Sequence, residues 1–305
     1  MFEGGPPVTA SDPDKKAQKK EAKRLEKAKK EKYKQLWRDY RARIAKDSDP
    51  VIQARKEEIL SGFDYRTFMT RMEEEDFDNL IDKPMAFRGH VFESLVTKEM
   101  NNEEENSVLA NFILKCLKKP EMLGIARGSL RNPDHLGVVV DVQTGEARVT
   151  GMYEVKVGKR LDERAQDQLR RFYGNLEMIT RRLNAVLEQV KTTYGMDFIP
   201  EGGIKLLPED EIDKFVVVPR TDKKVNPRLA QDKKQFLEGQ GWGMRHSVFS
   251  DDNVQEVTGF MQKYYQENQA MIDQDRGKYD VKKQSQERDI QERARLIRTG
   301  DKQRK

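Results

Sequence analysis

The sequence has one cysteine, Cys116, only three histidines and no apolar run near the length of a membrane span, which is about 20 residues. One cysteine cannot form an internal disulfide, and the lack of a Cys-x-x-Cys pair argues against a structural zinc site. Cys116 lies in the apolar-periodic segment 111–117, so we expect a buried small hydrophobe rather than a nucleophile. Met1 to Pro13 lack the apolar stretch of a signal peptide. These absences predict a cytoplasmic or other intracellular protein that is neither secreted nor bound to a membrane.

Charged residues are abundant and unevenly distributed. They make up 36% of the chain, against about 25% in an ordinary globular protein. Residues 15–46 carry a net charge of +11 and residues 276–305 carry +6, whereas residues 47–275 carry −9. Basic arms commonly contact polyanions, although a merely solubilising face is an equal alternative. The candidate nucleic-acid contacts in the first arm are Lys19, Lys20, Lys23, Arg24, Lys27 and Lys30.

Composition and periodicity divide the chain into five parts. Residues 1–14 are rich in Gly and Pro and are predicted to be disordered, and residues 15–46 form a basic helical arm. This arm is expected to dock only through its last three turns, where apolar residues recur at helical spacing. A helical linker (47–84), an α/β domain (85–270) and a basic helical or disordered tail (271–305) follow. The docking residues are Tyr33, Leu36, Trp37, Tyr40 and Ile44.

Within the α/β domain the apolar period changes from helix to strand and back. Helices are predicted over residues 85–100 and 108–117, then a hairpin over 134–157, then a helical stripe over 169–190. Further strands are expected at 215–218 and 246–249, and a helix from Asp251 to about Asn268. This order predicts a mixed sheet with helices on both sides.

Three charged residues lie in or beside the hairpin strands, where charge is costly. Glu154 and Lys156 interrupt an apolar strand and share one face, because residues two apart in a strand point the same way. A three-residue loop 143–145, with Gly145 in the left-handed conformation, would place Asp134 opposite Glu154, with β-carbons about 5 Å apart. A two-residue loop would turn Asp134 to the other face. His135 is expected on that other face, and Asp141 at the strand end or in the turn.

Two carboxylates this close repel each other unless a cation lies between them or one is protonated. An oxygen-rich site of this kind suits Mg²⁺ or Mn²⁺, and a neighbouring lysine could orient or deprotonate a water or neutralise a phosphoryl oxygen. Metal-assisted phosphodiester hydrolysis needs these parts. A salt-bridged strand pair on an exposed sheet face is the alternative interpretation of the same residues.

The segments Asn132-Pro133-Asp134 and Glu154-Val155-Lys156 together resemble the signature of the PD-(D/E)xK nuclease superfamily. The preceding helix supplies the acidic residue that is usual in the family, Glu93. Gln168, twelve residues after Lys156, resembles the start of the QxxxY motif of the RecB-like branch, with Phe172 in place of Tyr. The resemblance covers about residues 85–265. It implies a restriction-endonuclease-like αβββαβ core and a metal-dependent nuclease, with DNA favoured over RNA.

The resemblance also implies a role for each matching residue. Asp134 and Glu154 would bind the metal directly, Glu93 directly or through water, and Lys156 would position the attacking water. Gln168 would orient the site or contact the phosphate backbone. His90, one turn from Glu93, could reach the metal as a helix histidine does in some relatives, although a lone histidine beside an apolar stripe is more often a packed residue.

A second hypothesis keeps the fold without the catalysis. The chain would then be a nucleic-acid-binding or assembly protein whose arms do the work, and its terminal helices could pair with a protein partner. Residues 15–32 offer only Leu25 as a large apolar anchor, however, which is far from the sustained repeat of a coiled coil. Clustered acids have no physical use in a binding scaffold, so the sequence favours the enzyme.

Overall fold

The computed structural model describes residues 13–72, 84–123, 125, 133–157, 175–195, 198–220, 235, 237–239 and 241–303, except the side chains of 13–16, 19, 121, 193–194, 209, 283 and 286–303. The chain is an α/β protein with a mixed five-stranded sheet flanked by helices, and its N- and C-terminal parts are helical. The predicted α/β class is therefore confirmed. Within the described part, no helix is long and apolar enough to cross a lipid bilayer.

The N-terminal part consists of helices α1 (Pro13–Ala45), α2 (Pro50–Gly62) and α3 (Tyr65–Arg71). The carboxylates of Asp49 and Asp64 accept hydrogen bonds from the first free N–H groups of α2 and α3, which fixes where these two helices begin. Buried residues of both helices belong to the same hydrophobic cluster as the end of α1. The segment 47–84 thus contributes two helices to a packed core.

The end of α1 packs against the last helix of the chain, α7 (Asp251–Gln303). Ring centroids of Tyr33 and Tyr264 are 4.9 Å apart, as are those of Trp37 and Phe260. Residues Tyr33, Trp37, Ile44 and Ala45 are buried, whereas most described side chains from 17 to 32 are exposed. The prediction that only the last turns of α1 dock is confirmed. The non-helical backbone angles of Asn268 interrupt α7 where its end was predicted.

Three more α-helices, two short 3₁₀ helices and five strands make up most of the other residues that the structure describes. Helices α4 (Pro84–Glu103) and α5 (Ser107–Lys118) agree with their predicted ranges to within a few residues. A short 3₁₀ helix (Pro120–Leu123) follows α5, and a second lies at Glu209–Glu211. Helix α6 (Leu176–Tyr194) covers the described part of the stripe predicted over 169–190.

The sheet consists of β1 (His135–Val140), β2 (Ala147–Val155), β3 (Ile204–Leu206), β4 (Asp213–Arg220) and β5 (Gly243–Ser250). Its order is β1-β2-β4-β5. β1 is antiparallel to β2, the pairs β2–β4 and β4–β5 are parallel, and β3 pairs in parallel with the start of β2. Two hydrophobic clusters cover its two faces, one with α1–α4 and α7, the other with α5 and α6.

The order of elements differs in one respect from the αβββαβ arrangement that the resemblance implies. That arrangement has three strands before the second core helix. Among the described residues two strands precede α6 and three follow it. The hairpin between two helices, followed by a later buried strand, agrees with the order derived from periodicity.

The β1–β2 turn is one residue longer than predicted. Asp141 N–H donates to Glu146 O (2.8 Å), so the loop spans residues 142–145 rather than 143–145. The Asp141 carboxylate accepts hydrogen bonds from the N–H groups of Gln143 and Thr144 and so stabilises the longer turn. Gly145 has the expected positive φ of 64°. With this turn alone, a regular ladder would pair Asp134 with Tyr153 and leave Glu154 on the opposite face.

A β-bulge restores the predicted pairing. Val138 pairs with Val149, but Gly137 pairs with Gly151, so Thr150 is an extra residue in β2. Beyond this point β2 changes phase, and His135 pairs with Tyr153. The longer turn and the bulge each shift the register by one residue, in opposite directions. Asp134 consequently lies opposite Glu154, as predicted, although the predicted turn was wrong.

Candidate active site

Asp134 is fixed beside Glu154 by two hydrogen bonds to β2. Its main-chain N–H donates to Tyr153 O (3.0 Å), which extends the ladder one residue beyond β1. Its carboxylate Oδ2 accepts the N–H of Val155 (2.7 Å). The Asp134 side chain therefore lies against the backbone of the residue that follows Glu154, and one of its two carboxylate oxygens is hydrogen-bonded there.

Lys156 lies on the same face as Glu154 and contacts it directly. Its Nζ donates a hydrogen bond to Glu154 Oε1 (2.6 Å). Its main-chain N–H donates to Val217 O (2.9 Å), which ties the end of β2 to β4. The neighbouring strand thus limits the backbone freedom of Lys156. The predicted grouping of Asp134, Glu154 and Lys156 on one face is confirmed.

Glu154 is in an unfavourable place for a negative charge. Only 9% of the residue is exposed. Burial raises the pKa of its carboxyl above the ordinary value of 4.5, the charge of Asp134 raises it further and Glu93 adds to this, while Lys156 opposes the shift. A carboxylate that is costly to ionise is one that a cation would stabilise.

The pKa of Lys156 is raised although burial by itself would lower it. The carboxylates of Glu154, Asp134 and Glu93 outweigh the effect of burial. Lys156 therefore stays protonated at neutral pH. A protonated lysine can donate a hydrogen bond to a water or a phosphoryl oxygen, but it cannot remove a proton. The raised pKa of Lys156 therefore favours two of its predicted roles, positioning of a water and neutralisation of charge, over general base catalysis.

Glu93 is the third carboxylate of the group, contributed by α4. Its negative charge helps to raise the pKa values of both Glu154 and Lys156. Its Oε1 lies 3.8 Å from Nζ of Lys118 at the end of α5. Lys118 was not singled out from the sequence, and only its basic charge in the last turn of a helix could have drawn attention to it.

The carboxylates are close, but they do not form a tight cage. Within the ranges that the structure describes, no three His, Cys, Asp or Glu side chains are grouped closely enough to hold a metal ion. Lysines contact two of the three acids, because Lys156 contacts Glu154 and Lys118 lies near Glu93.

The remaining candidates are placed as follows. His90 and Glu93 lie on the same face of α4, and both line a cleft between α4 and α3. His135 is fully buried on the opposite face of β1, with its Nε2 3.4 Å from Glu104 Oε2 and its ring 5.9 Å from that of Tyr153, as expected. Cys116 is buried, as expected, and burial raises the pKa of its thiol to about 12, so little of it is thiolate at neutral pH. Gln168 and the side chain of Lys19 lie outside the described residues.

Three of the candidate lysines of α1 line a second, smaller cleft. Lys23, Lys27 and Lys30 face Arg66 of α3 across a space of about 250 Å³. Lys34 lines the same cleft, one helical turn after Lys30. Extending the lysine spacing of α1 by one turn would have identified it from the sequence. Two acids also line the cleft, Glu26 and Glu31, and they form ion pairs with Lys30 and Lys34. We call this group the α1–α3 basic cleft. Of the remaining candidates, Lys20 and Arg24 are exposed.

Comparison with known proteins does not extend this picture. No family model, no curated protein and no solved structure matches the chain. The case for a function therefore rests on the residues and their geometry.

Proposed function

We propose that this protein is a metal-dependent nuclease that hydrolyses phosphodiester bonds in nucleic acid. The observation that carries the proposal is the convergence of Asp134, Glu154 and Lys156 on one sheet face, with Glu154 buried and difficult to ionise. Perturbed carboxyl pKa values beside a charged partner are typical of functional sites. An exposed salt-bridged strand pair would leave Glu154 solvated, whereas the residue is 9% exposed.

Mg²⁺ or Mn²⁺ would be held by the carboxylates of Asp134 and Glu154, with Glu93 as a direct or water-mediated ligand. Hard oxygen ligands are what these cations prefer, and they usually retain several waters. A bound cation supplies a Lewis acid for the scissile phosphate and lowers the pKa of a coordinated water. Because one oxygen of Asp134 already accepts the Val155 N–H, its other oxygen would face the metal.

Lys156 would act on the attacking water or on the phosphoryl oxygens. Its protonated ammonium lies 2.6 Å from Glu154 Oε1 and keeps its position through that contact. A fixed positive charge next to the scissile group stabilises negative charge that builds up in the transition state. Gln168 would orient the site or contact the backbone of the substrate.

The α1–α3 basic cleft supports a polyanionic substrate. Its five cations, Lys23, Lys27, Lys30, Lys34 and Arg66, outnumber two acids, and both acids are ion-paired with lysines of the same helix. Contacts of this kind to phosphates are independent of sequence and sensitive to salt. DNA is favoured over RNA as the substrate by the family resemblance alone.

The proposal is tested with the purified full-length chain and end-labelled single- and double-stranded DNA and RNA. Each substrate is incubated with Mg²⁺, with Mn²⁺ and with EDTA, and the products are resolved by length. We expect cleavage with either cation and none in EDTA. A chain that cleaves no substrate with either cation, or one that cleaves equally well in EDTA, would contradict the proposal.

Substitutions then assign the activity to the site. Asp134→Asn and Glu154→Gln remove a ligand charge with little change of shape, and each should reduce cleavage at least about a hundredfold. Lys156→Ala should reduce it by a similar factor while metal binding is retained. Glu188→Gln, an exposed carboxylate on α6, is the matched control and should cleave normally. Undiminished cleavage by any of the first three variants would place the activity elsewhere.

The second candidate function is a nucleic-acid-binding or assembly protein without catalysis. The observation that favours it is the lack of a tight three-ligand group among the described side chains. The terminal helices α1 and α7 would then contribute the binding surface, with a protein partner also able to contact their exposed faces. Binding that persists without cleavage of any substrate, at any cation concentration, would select this function.

A further inference from the structure

The α1–α3 basic cleft continues the face by which α1 docks on the core. On this face Trp37 and Ile44 are buried. Toward the N-terminus of α1 the same face carries lysines at intervals of three and four residues, and it borders an open space of about 250 Å³. We call these lysines the lysine row. They are Lys23, Lys27, Lys30 and Lys34.

Arg66 of α3 forms the opposite wall of the cleft. Its backbone is fixed, because its N–H donates a hydrogen bond to the capping carboxylate of Asp64 (3.0 Å) and the preceding residue, Tyr65, is buried. Its guanidinium lies 3.9 Å from the carboxylate of Asp275 on α7. This distance is longer than a hydrogen bond, so the contact leaves guanidinium donors for a bound anion. Cations therefore face the same space from two different helices.

The cleft has an excess of positive charge. Five cations line it against two acids, so the lining carries a net charge of +3. Lys23 and Lys27 form no ion pair with any carboxylate in the part of the chain that the structure describes. The surrounding stretch of α1, residues 20–34, contains eight basic and three acidic side chains. An anion in the cleft would therefore meet an attractive potential.

The two acids of the cleft already have partners. Glu26 forms an ion pair with Lys30, one turn later on α1, and the hydrogen bond from Lys30 lowers the pKa of its carboxyl. Glu31 lies 2.7 Å from Lys34, whose hydrogen bond lowers its pKa in the same way. Both acids are therefore ionised at neutral pH. Exposed ion pairs of this kind are weak, so a polyanion can compete with Glu26 and Glu31 for the two lysines.

The lining offers nothing but charge. All seven residues that line the cleft are Lys, Arg or Glu. No aromatic or apolar side chain is among the lining residues that the structure describes, so a base has no ring on which to stack and an apolar ligand has no surface to cover. The cleft can therefore recognise an anionic backbone, but it has no means of recognising a base.

The length of the lysine row indicates a polymer rather than a single anion. From Lys23 to Lys34 the row extends about 16 Å, at 1.5 Å per residue of α-helix. Phosphates on one strand of a duplex recur about every 3.4 Å along its axis. The row can therefore contact several consecutive phosphates, whereas one phosphate group would leave most of it unoccupied.

We propose that the α1–α3 basic cleft is a clamp for the phosphate backbone of nucleic acid, in which Arg66 holds the backbone against the lysine row and no base is contacted. The choice of nucleic acid over other polyanions rests on the proposed nuclease function, but binding in the clamp does not require cleavage. Glu26 and Glu31 compete with the phosphates and limit the affinity. The clamp lies outside residues 85–265, which carry the family resemblance, and it adds affinity without sequence preference.

The experiment measures binding by the full-length chain in EDTA, across a salt series, with fluorescence anisotropy. The probes are three single strands of equal length: a thymidine strand, a strand of mixed sequence, and an abasic strand that keeps every phosphate and lacks every base. EDTA prevents cleavage, so binding is measured independently of catalysis. Poly-glutamate of equal charge is the competitor that represents an acidic protein partner.

Two cation variants examine the two walls separately. They are Arg66→Gln on α3, with Arg66→Lys as the conservative variant, and Lys27→Gln on α1. The matched control is Arg181→Gln, which removes an exposed cation on α6. Circular dichroism checks that Arg66→Gln folds, and Lys27→Gln tests the clamp without altering α3.

A third variant removes the competing acids. It is Glu26→Gln with Glu31→Gln, which frees Lys30 and Lys34. Its control is Glu188→Gln with Glu201→Gln, which removes two exposed carboxylates elsewhere on the chain.

We expect Arg66→Gln and Lys27→Gln each to reduce the slope of log K against log salt by about 0.7, the contribution of one phosphate contact on a single strand. Affinity at 0.1 M salt should fall about fivefold, because a slope of 0.7 corresponds to that factor between 1 M and 0.1 M. Arg66→Lys should retain the slope. The losses should be equal for all three probes, including the abasic strand. The double acid variant should bind more tightly, with a slope increased by up to about 1.4.

Several results would overturn the proposal. If Arg66→Gln folds and loses no more than Arg181→Gln, α1 is a free arm and there is no clamp. An abasic strand that does not respond to Arg66→Gln or Lys27→Gln would show that bases are contacted. A double acid variant that binds no more tightly than its control would contradict the competing role of Glu26 and Glu31. Poly-glutamate that displaces the strands as well as an unlabelled strand does would assign the cleft to an acidic protein partner.

Cleavage is scored separately in Mg²⁺, so that the two proposals can fail independently. Clamp binding that follows the prediction, with no cleavage of any substrate, would contradict the nuclease function and leave the clamp intact. Cleavage by a chain whose binding is unaffected by Arg66→Gln and Lys27→Gln would reject the clamp and leave the nuclease function intact.

Discussion

Replacing Glu154 with glutamine should stabilise the metal-free protein at neutral pH and at the same time remove its stabilisation by Mg²⁺. The pKa of Glu154 is raised on folding by burial and by Asp134. An acid with a raised pKa in the folded state ionises more readily in the unfolded chain, so stability falls as pH rises from about 4.5 through the folded-state pKa. Glutamine keeps the shape and can still accept a hydrogen bond from Lys156, but it does not ionise.

The effect of the cation can be estimated. A ligand that binds only the folded state stabilises it by about 2.7 kcal/mol at a concentration one hundred times its Kd. An unfolding entropy of about 2.1 cal/mol/K per residue amounts to about 0.64 kcal/mol/K for 305 residues. The wild-type Tm should therefore rise by about 4 °C in Mg²⁺ at that concentration. The Glu154→Gln variant lacks one ligand charge, and its Tm should rise by less than about 1 °C.

Thermal unfolding followed by circular dichroism tests both parts. Wild type and Glu154→Gln are compared at pH 5 and pH 8, in EDTA and in increasing Mg²⁺, with NaCl at matched ionic strength as the salt control. Glu188→Gln is the control for loss of one carboxylate, and it should behave as wild type does in Mg²⁺. Equal protection of Glu154→Gln by Mg²⁺, or a metal-free variant less stable than wild type at pH 8, would refute this account of the site.

Three further predictions concern packing and charge. Asp47→Asn should lower the free energy of unfolding, measured in urea, by about 3 kcal/mol. The reason is that it leaves the buried ammonium of Lys56, 2.9 Å away, without its charged partner. The Lys56 hydrogen bond also lowers the pKa of Asp47, so this stabilisation should be present above about pH 4 and lost as pH falls in an acid titration. Trp37→Ala should lower the free energy of unfolding in the same assay by about 3–5 kcal/mol, since it leaves a cavity in the aromatic cluster between α1 and α7. Lys23→Gln with Lys27→Gln should reduce the salt slope of duplex binding by about 1.8, measured by fluorescence anisotropy, and an unchanged slope would mean that the α1–α3 basic cleft makes no phosphate contacts.

The hairpin shows how far local sequence rules reach. Residues two apart in a strand share a face, and Gly145 marks the turn, so these rules predicted that Asp134, Glu154 and Lys156 share one face. The turn itself was predicted one residue too short, because the Asp141 carboxylate supports a longer loop. The bulge at Thr150 compensates for the extra residue. The correct pairing therefore came from two departures from the predicted hairpin, the longer turn and the bulge, whose register shifts cancel.

The bulge has a tertiary cause that no local rule contains. Beyond Thr150, β2 pairs with β4, and before it with β3. The β-carbon of an alanine at 151 would lie 3.1 Å from the Tyr153 ring, so a side chain there would require that ring to shift by a few tenths of an ångström. Two contacts together determine which residues of β2 face each side of the sheet. They are the strand pairing on both edges of β2 and the packing of Tyr153 on Phe215, whose ring centroids are 5.5 Å apart.

The sequence by itself determined most of the helices and strands, although not β3, the division into acidic centre and basic ends, and the face that Glu154 shares with Lys156. These depend on periodicity, turn residues and charge, which act over a few residues. Only the tertiary structure decided that Lys118 lies near Glu93, that α3 stands between two clefts, and that α1 docks on α7. Such contacts join segments that are far apart in the chain. Their geometry follows from the packing of the whole core, which cannot be predicted from any single short segment.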